Sequence, residues 1–145
     1  MHFKPTATSW IEISRSALEN NIQFIKKLLP EHCTFSAVIK GNAYGHDIEV
    51  YGPLAYACGL RHFSVYSIKE AYRLLHAVQE NDYTTLCLGN LSEEEMCWAI
   101  DHNIEFYINN FRSLDLAIST AKACKNQAVV HIEVETGMNR TGFKF

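Results

Sequence analysis

An apolar run that reads as a β-strand returns roughly every 20 to 27 residues along this chain, and a helical pattern fills each interval. The runs lie at 34–40, 62–67, 84–89, 104–109 and 128–135, with a shorter one at 10–13. Strict alternation of this kind selects successive βα units and a parallel sheet. Several runs are apolar almost throughout, which suits strands covered on their outer face by helices. Five strands counted from residue 34 fit two architectures. An open, doubly wound sheet is complete at this length, whereas a closed (β/α)8 TIM-type barrel needs eight strands and roughly 250 residues. Periodicity alone leaves both open, and the spacing signals neither a linker nor a second domain.

Helix boundaries are signalled locally. Ser16-x-x-Glu19, Ser67-x-x-Glu70 and Ser92-x-x-Glu95 have the capping-box form, and each precedes an amphipathic run. Asn110 is a cap for the helix that contains Leu114, Leu116, Ala117 and Ile118. A weaker helix is expected between Asp47 and Cys58. Pro53 interrupts it and Gly59 stops it. Glu93, Glu94 and Glu95 form an acidic first turn favoured by the helix dipole.

Composition narrows the class. Hydrophobic residues make up 48% and charged residues 20% of the 145, enough apolar material for a folded core. The net charge is −3 and no basic patch appears, which argues against nucleic-acid binding. No apolar run is long enough to span a bilayer, and the N-terminus lacks the apolar core of a secretory signal. Five cysteines (33, 58, 87, 97 and 124) are scattered without a C-x-x-C pair. An odd, dispersed set fits reduced thiols in the cytoplasm. The histidines include no H-x-x-x-H pair, and His131-x-Glu133 reads as a hydrogen-bonded interior pair before it reads as a metal site. Trp98 and the aromatics at 106, 107 and 111 read as packing residues.

Two segments carry chemistry. In "SAVIKGNAYGHD" (36–47), Lys40 closes an apolar strand. The carboxyl ends of parallel strands form the usual functional face, and a lysine desolvated there favours its neutral, nucleophilic amine. Gly41-Asn42-Ala43 gives a tight turn of little bulk, and Tyr44 can donate to an anion. In "VVHIEVETGMNRTGF" (129–143), Val130, Ile132 and Val134 alternate with His131, Glu133 and Glu135. On a barrel strand the apolar set faces helices and the polar set faces the interior, beside a wet or ligand-filled site. Arg140 follows at the same strand end and offers a planar fork for a carboxylate or phenolate. Taken singly, each segment is ordinary: a solvated lysine at a strand end, and a surface loop with an exposed arginine.

Together, "AVIKGNAYGH" and "ETGMNRTGF" resemble the two N-terminal signatures of the alanine racemase family, which uses pyridoxal 5′-phosphate (PLP). "WIEISRSALENNI" looks like that family's opening, so the resemblance covers nearly the whole chain. It implies the N-terminal part of a (β/α)8 TIM-type barrel, about five of eight strands, over residues 14–145. Residues 1–13 would hold a strand that packs with a later β-rich domain. It implies that Lys40 holds PLP as a Schiff base and serves as one of two acid/base groups, that Tyr44 contacts the cofactor phosphate, and that Arg140 lies near the phenolic oxygen and the substrate carboxylate. The reaction implied is interconversion of L- and D-alanine in a cytoplasmic homodimer, the second proton-transfer group being a tyrosine of the partner subunit.

The chain departs from that pattern in two ways. Glu133 stands where many members carry a modified lysine, and Glu135 is the acid of the D-T-G motif. A glutamate already has the negative oxygens that the modification supplies, so Glu133 is expected to orient Arg140 directly. The chain is also short, so it reads as an N-terminal portion, inactive alone. A PLP-dependent amino-acid decarboxylase on a related barrel and a non-catalytic PLP-binding barrel protein are the alternatives.

Overall fold

The computed structural model describes residues 9–144. Five parallel strands, β1 (Ser36–Val38), β2 (His62–Val65), β3 (Thr84–Cys87), β4 (Ile104–Ile108) and β5 (Val130–Ile132), are hydrogen-bonded in their sequence order. Six helices accompany them: α1 (Arg15–Leu28), α2 (Lys40–Tyr44), α3 (Ile48–Ala57), α4 (Ile68–Ala77), α5 (Glu93–Asp101) and α6 (Phe111–Cys124). The sequential, all-parallel order is that of a barrel wall. A doubly wound sheet would reverse its order at a switch point, so the second architecture is excluded.

The main core lies between the outer face of the sheet and the helices. Phe63, Val65, Cys87, Phe106 and Ile108 point outward from the strands and are fully buried. They meet Ile48 and Ala55 of α3, Ala71 and Leu74 of α4, and Ala99 and Ile100 of α5 in one apolar cluster. Alternation along each strand produces this division, because successive side chains take opposite faces. At the end of β3, Gly89 comes so close to β2 that an added Cβ would lie 2.4 Å from the carbonyl oxygen of Tyr66. Only a residue without a side chain fits there.

The opposite face of the sheet is polar at its base. The ring of His131 donates to Glu105 Oε2 at 2.6 Å, and His62 Nε2 approaches the same oxygen at 3.4 Å. His62 Nδ1 then meets Ser36 Oγ at 2.7 Å, and Ser36 meets Ser64 at 2.7 Å. Four strands are tied by this chain. His131 pairs with Glu105 of the neighbouring strand, not with Glu133 as its spacing in sequence suggests. Burial pushes the Glu105 carboxyl up, but hydrogen bonds from His131 and His62 outweigh it and hold the group below its ordinary range.

Several expected boundaries shift. The first helix is capped by Ser14, whose Oγ accepts from the N–H of Ala17 at 3.3 Å, so Ser16 and Glu19 lie inside the helix. Ser67, Ser92 and Asn110 cap their helices as the sequence predicts. Asp47 caps α3, which accommodates Pro53 and gives way to Gly59 after Cys58. Residues 9–14 form no strand, and residues 1–8 of the expected first segment lie outside the described residues. No helix among the described residues is long and apolar enough to cross a membrane.

The depressed Glu105 carboxyl stabilises the fold above the ordinary carboxylate range, and that contribution is lost as pH falls through its lowered value. Glu105→Gln should therefore lower unfolding free energy near neutral pH by about 1–3 kcal/mol. In urea titrations the gap from the parent chain should close below about pH 4. A gap that stays constant with pH would contradict the assignment.

Candidate active site

Lys40 sits one residue past Ile39, which is 1% exposed and anchors the end of β1. The chain then makes a single turn of left-handed helix. Gly41, Asn42, Ala43 and Tyr44 have φ of 61°, 56°, 55° and 53°. Such a turn costs about 1–2 kcal/mol for each non-glycine residue. Specific contacts hold it in place. Asn42 Oδ1 accepts from the N–H of Ile48 at 3.1 Å and from Arg73 Nη2 at 2.7 Å, while the N–H of Asn42 donates to Glu70 Oε1 at 3.1 Å. Glu70 Oε2 also accepts from the N–H of Tyr66 at 2.8 Å. The Glu70 carboxylate therefore joins the turn after β1 to the turn after β2. Arg73 is itself gripped by Glu49, whose carboxyl this contact, aided by Asp47, holds down at about 2.

Across the rim, the segment after β5 folds on one carboxylate. Glu135 accepts from the N–H of Gly137, and from that of Arg140 at 2.9 Å. These backbone donors, with that of Asn139 foremost, hold Glu135 below the usual carboxylate range. The loop then returns to the strand. The N–H of Phe143 donates to the carbonyl of Glu133 at 2.9 Å, and the Phe143 ring packs edge-on against Phe111 at 5.1 Å. Gly142 has φ +107°, and an added Cβ would meet the Glu135 nitrogen at 2.8 Å. That position admits only glycine.

Lys40, Glu133 and Arg140 line a single cavity of about 620 Å³. Tyr66, Tyr107, Asn109 and Thr141 share its wall. A primary amine, a guanidinium, two phenols and an amide thus surround one space at the carboxyl ends of the strands. Tyr44 lies outside this wall and is 63% exposed. The Glu133 carboxylate accepts from the Thr141 hydroxyl at 2.7 Å. A Glu133–Arg140 ion pair does not occur among the described residues. Tyr107, read from sequence as a packing residue, belongs to the site, and Phe111 is 73% exposed. Asn42, Glu70 and Arg73 were not singled out by sequence. The one available signal was the capping pair Ser67/Glu70, whose acid reaches past its own cap. No group of three or more potential metal ligands occurs among the described residues.

The outer face of β5 differs from that of the other strands. Val130, Ile132 and Val134 are 37%, 55% and 38% exposed, while His131 reaches Glu105 on the inner face, Glu133 lines the cavity and Glu135 turns instead to the backbone of its own loop.

Five parallel strands hydrogen-bonded in sequence order place the chain in the TIM-barrel class of α/β folds. A family model described as alanine racemase, N-terminal domain, matches residues 13–145, and the chain belongs to the alanine racemase family. The lysine racemase of Proteus mirabilis is 30% identical over 139 residues, covering 94% of this chain and 33% of that protein. The alanine racemase of Clostridium difficile 630, in complex with cycloserine, superposes with a TM-score of 0.85 at 28% identity, covering 97% of this chain and 38% of that one. The alanine racemase of Bartonella henselae with covalently bound pyridoxal phosphate shares the fold, with a TM-score of 0.80 at 23% identity over 90% of this chain and 36% of its own. The chain spans about a third, 36%, of the length of the curated alanine racemases it matches.

Replacing Asn42 tests the support beneath Lys40. Asn42→Gly keeps access to positive φ but removes the amide contacts, and it should cost about 1–3 kcal/mol in urea unfolding. Asn42→Ala should cost more, because strain is added. Equal stability of the glycine variant and the parent would show that the contacts contribute nothing.

Proposed function

We propose that this chain supplies the lysine-bearing N-terminal portion of a PLP-dependent amino-acid racemase acting on alanine. The observation that carries the reading is one cavity lined by both Lys40 and Arg140, in a chain of the alanine racemase family. The residues present fit the cofactor. Its aldehyde calls for a primary amine, which Lys40 offers from a half-buried position. Its anionic oxygens call for a guanidinium and neutral donors, which Arg140, Tyr107 and Asn109 offer from the same wall.

When bound, PLP supplies an electron sink for the charge left at the substrate Cα. Lys40 holds the cofactor and carries a proton on one face of that carbon. Arg140 binds the substrate carboxylate. Glu133 orients Arg140 through Thr141, the residue that follows it and that the Glu133 carboxylate grips. Tyr44 is assigned to the cofactor phosphate by its place in the motif, on the exposed side of the left-handed turn. The opposite face of the carbon is served by a tyrosine of the partner subunit in a cytoplasmic homodimer. Residues 14–145 form the barrel portion, and 1–13 pack against a β-rich domain of the complete enzyme. Alanine is assigned because the family model carries that name, while the Proteus relative, a lysine racemase, shows that the amino acid varies among relatives.

Titration of the chain with PLP, followed by borohydride reduction and peptide mapping, tests this reading. The reduced adduct should concentrate on the peptide that contains Lys40 and vanish in Lys40→Ala. Arg140→Ala should raise half-saturation about tenfold, equivalent to about 1.4 kcal/mol. Label spread evenly over Lys26, Lys69 and Lys122 would sink the assignment. The chain alone should form no D-alanine.

A further inference from the structure

Helices α5 and α6 pack against each other, and Met96, Ala99 and Ile100 of the first and Ala117 and Thr120 of the second are buried. At the margin of that interface stand two cysteines. Cys97 is in the middle of α5, and Cys124 is the last residue of α6. Their sulfur atoms are 2.7 Å apart, and both side chains are half-buried. The other three cysteines differ. Cys58 and Cys87 are buried, and Cys33 is exposed without a thiol neighbour. Two thiols held this close on packed helices meet the distance requirement of a disulfide, and small side-chain rotations can supply its dihedral.

We propose that Cys97 and Cys124 form a reversible disulfide that staples α5 to α6 when the protein meets a small-molecule disulfide. The Cys97 contact, with burial, pushes the Cys124 thiol up to about 11. Exchange can begin at either sulfur, and one route starts at Cys97. Its thiolate attacks one sulfur of the oxidant and expels one thiol. Cys124 then gives up its proton and attacks the Cys97 sulfur, expelling the second thiol. Two protein thiols are oxidised by two electrons, and the small disulfide is reduced to two thiols. The bond closes a segment whose ends are 27 residues apart in sequence. Because α6 runs back from the carboxyl ends of the strands, Cys124 lies at the opposite end of the sheet from Lys40. The staple therefore strengthens the barrel wall without touching the rim cavity.

Oxidised glutathione is the probe. Trypsin cuts after Arg73, Arg112, Lys122 and Lys125, so Cys124 falls on the peptide 123–125 and Cys97 on 74–112 together with Cys87, from which fragmentation of the joined peptides separates it. After treatment of the reduced chain, mass spectrometry should find those peptides joined with the loss of two hydrogens, and dithiothreitol should separate them. The thermal midpoint should rise by roughly 5–10 °C. Cys97→Ser and Cys124→Ser should each abolish both effects and leave the remaining cysteine able to carry glutathione. Cys33 serves as the internal control, since its glutathionylation shows that the oxidant is active. If Cys33 is modified while Cys97 and Cys124 stay free, or each carries its own glutathione, the proposal is overturned. The parent chain alone decides this, so the outcome does not depend on how the variants fold.

Discussion

Parallel pairing of neighbouring strands in sequence order is the constraint from which the rest follows. It places the carboxyl end of every strand on one rim, so residues 100 positions apart in the chain meet there, as Lys40 and Arg140 do. It also sends each helix back along the outside, where Phe63, Phe106 and Ile108 need cover. A sheet that reversed its order would have divided these helices between two faces and separated the amine from the guanidinium.

Backbone strain at the rim is offset by polar contacts drawn from other units. The left-handed turn after β1 depends on Asn42, Glu70 and Arg73, two of which come from α4. The loop after β5 depends on the Glu135 carboxylate and on Gly142. The first is therefore positioned from outside the segment that carries the chemistry, and the second by residues of its own loop. The family's acid at position 135 has a local physical role here, because it satisfies backbone donors and leaves the arginine side chain free to face the cavity. The Glu133 carboxylate accepts from the hydroxyl of Thr141, the residue next to Arg140.

Much of this was legible in the sequence, and the limits have physical causes. The caps at Ser67, Ser92 and Asn110 were readable because a cap is a contact over three residues. The shared rim of Lys40 and Arg140 was readable because parallel strands fix which end faces which way. Ser14 was missed because Ser16-x-x-Glu19 matches the same local pattern two residues later. The His62–Glu105–His131 chain was not readable, because it depends on register between strands whose residues are 26 and 43 positions apart. The left-handed turn was not readable either. Ala43 and Tyr44 have no intrinsic need for that conformation, and contacts from Glu70, Arg73 and Ile48 to Asn42 hold it.

Nearest-neighbour strand order also governs how the molecule is made. Every pairing, from Ser36 with His62 to Phe106 with Val130, joins adjacent units, so no strand waits for a distant partner. Loop closure is modest at each step and grows only slowly with length. The wall can assemble one unit at a time as the polypeptide leaves the ribosome, amino end first. The growing boundary at each moment is the newest strand, and at β5 that boundary still shows its valines and isoleucine to water.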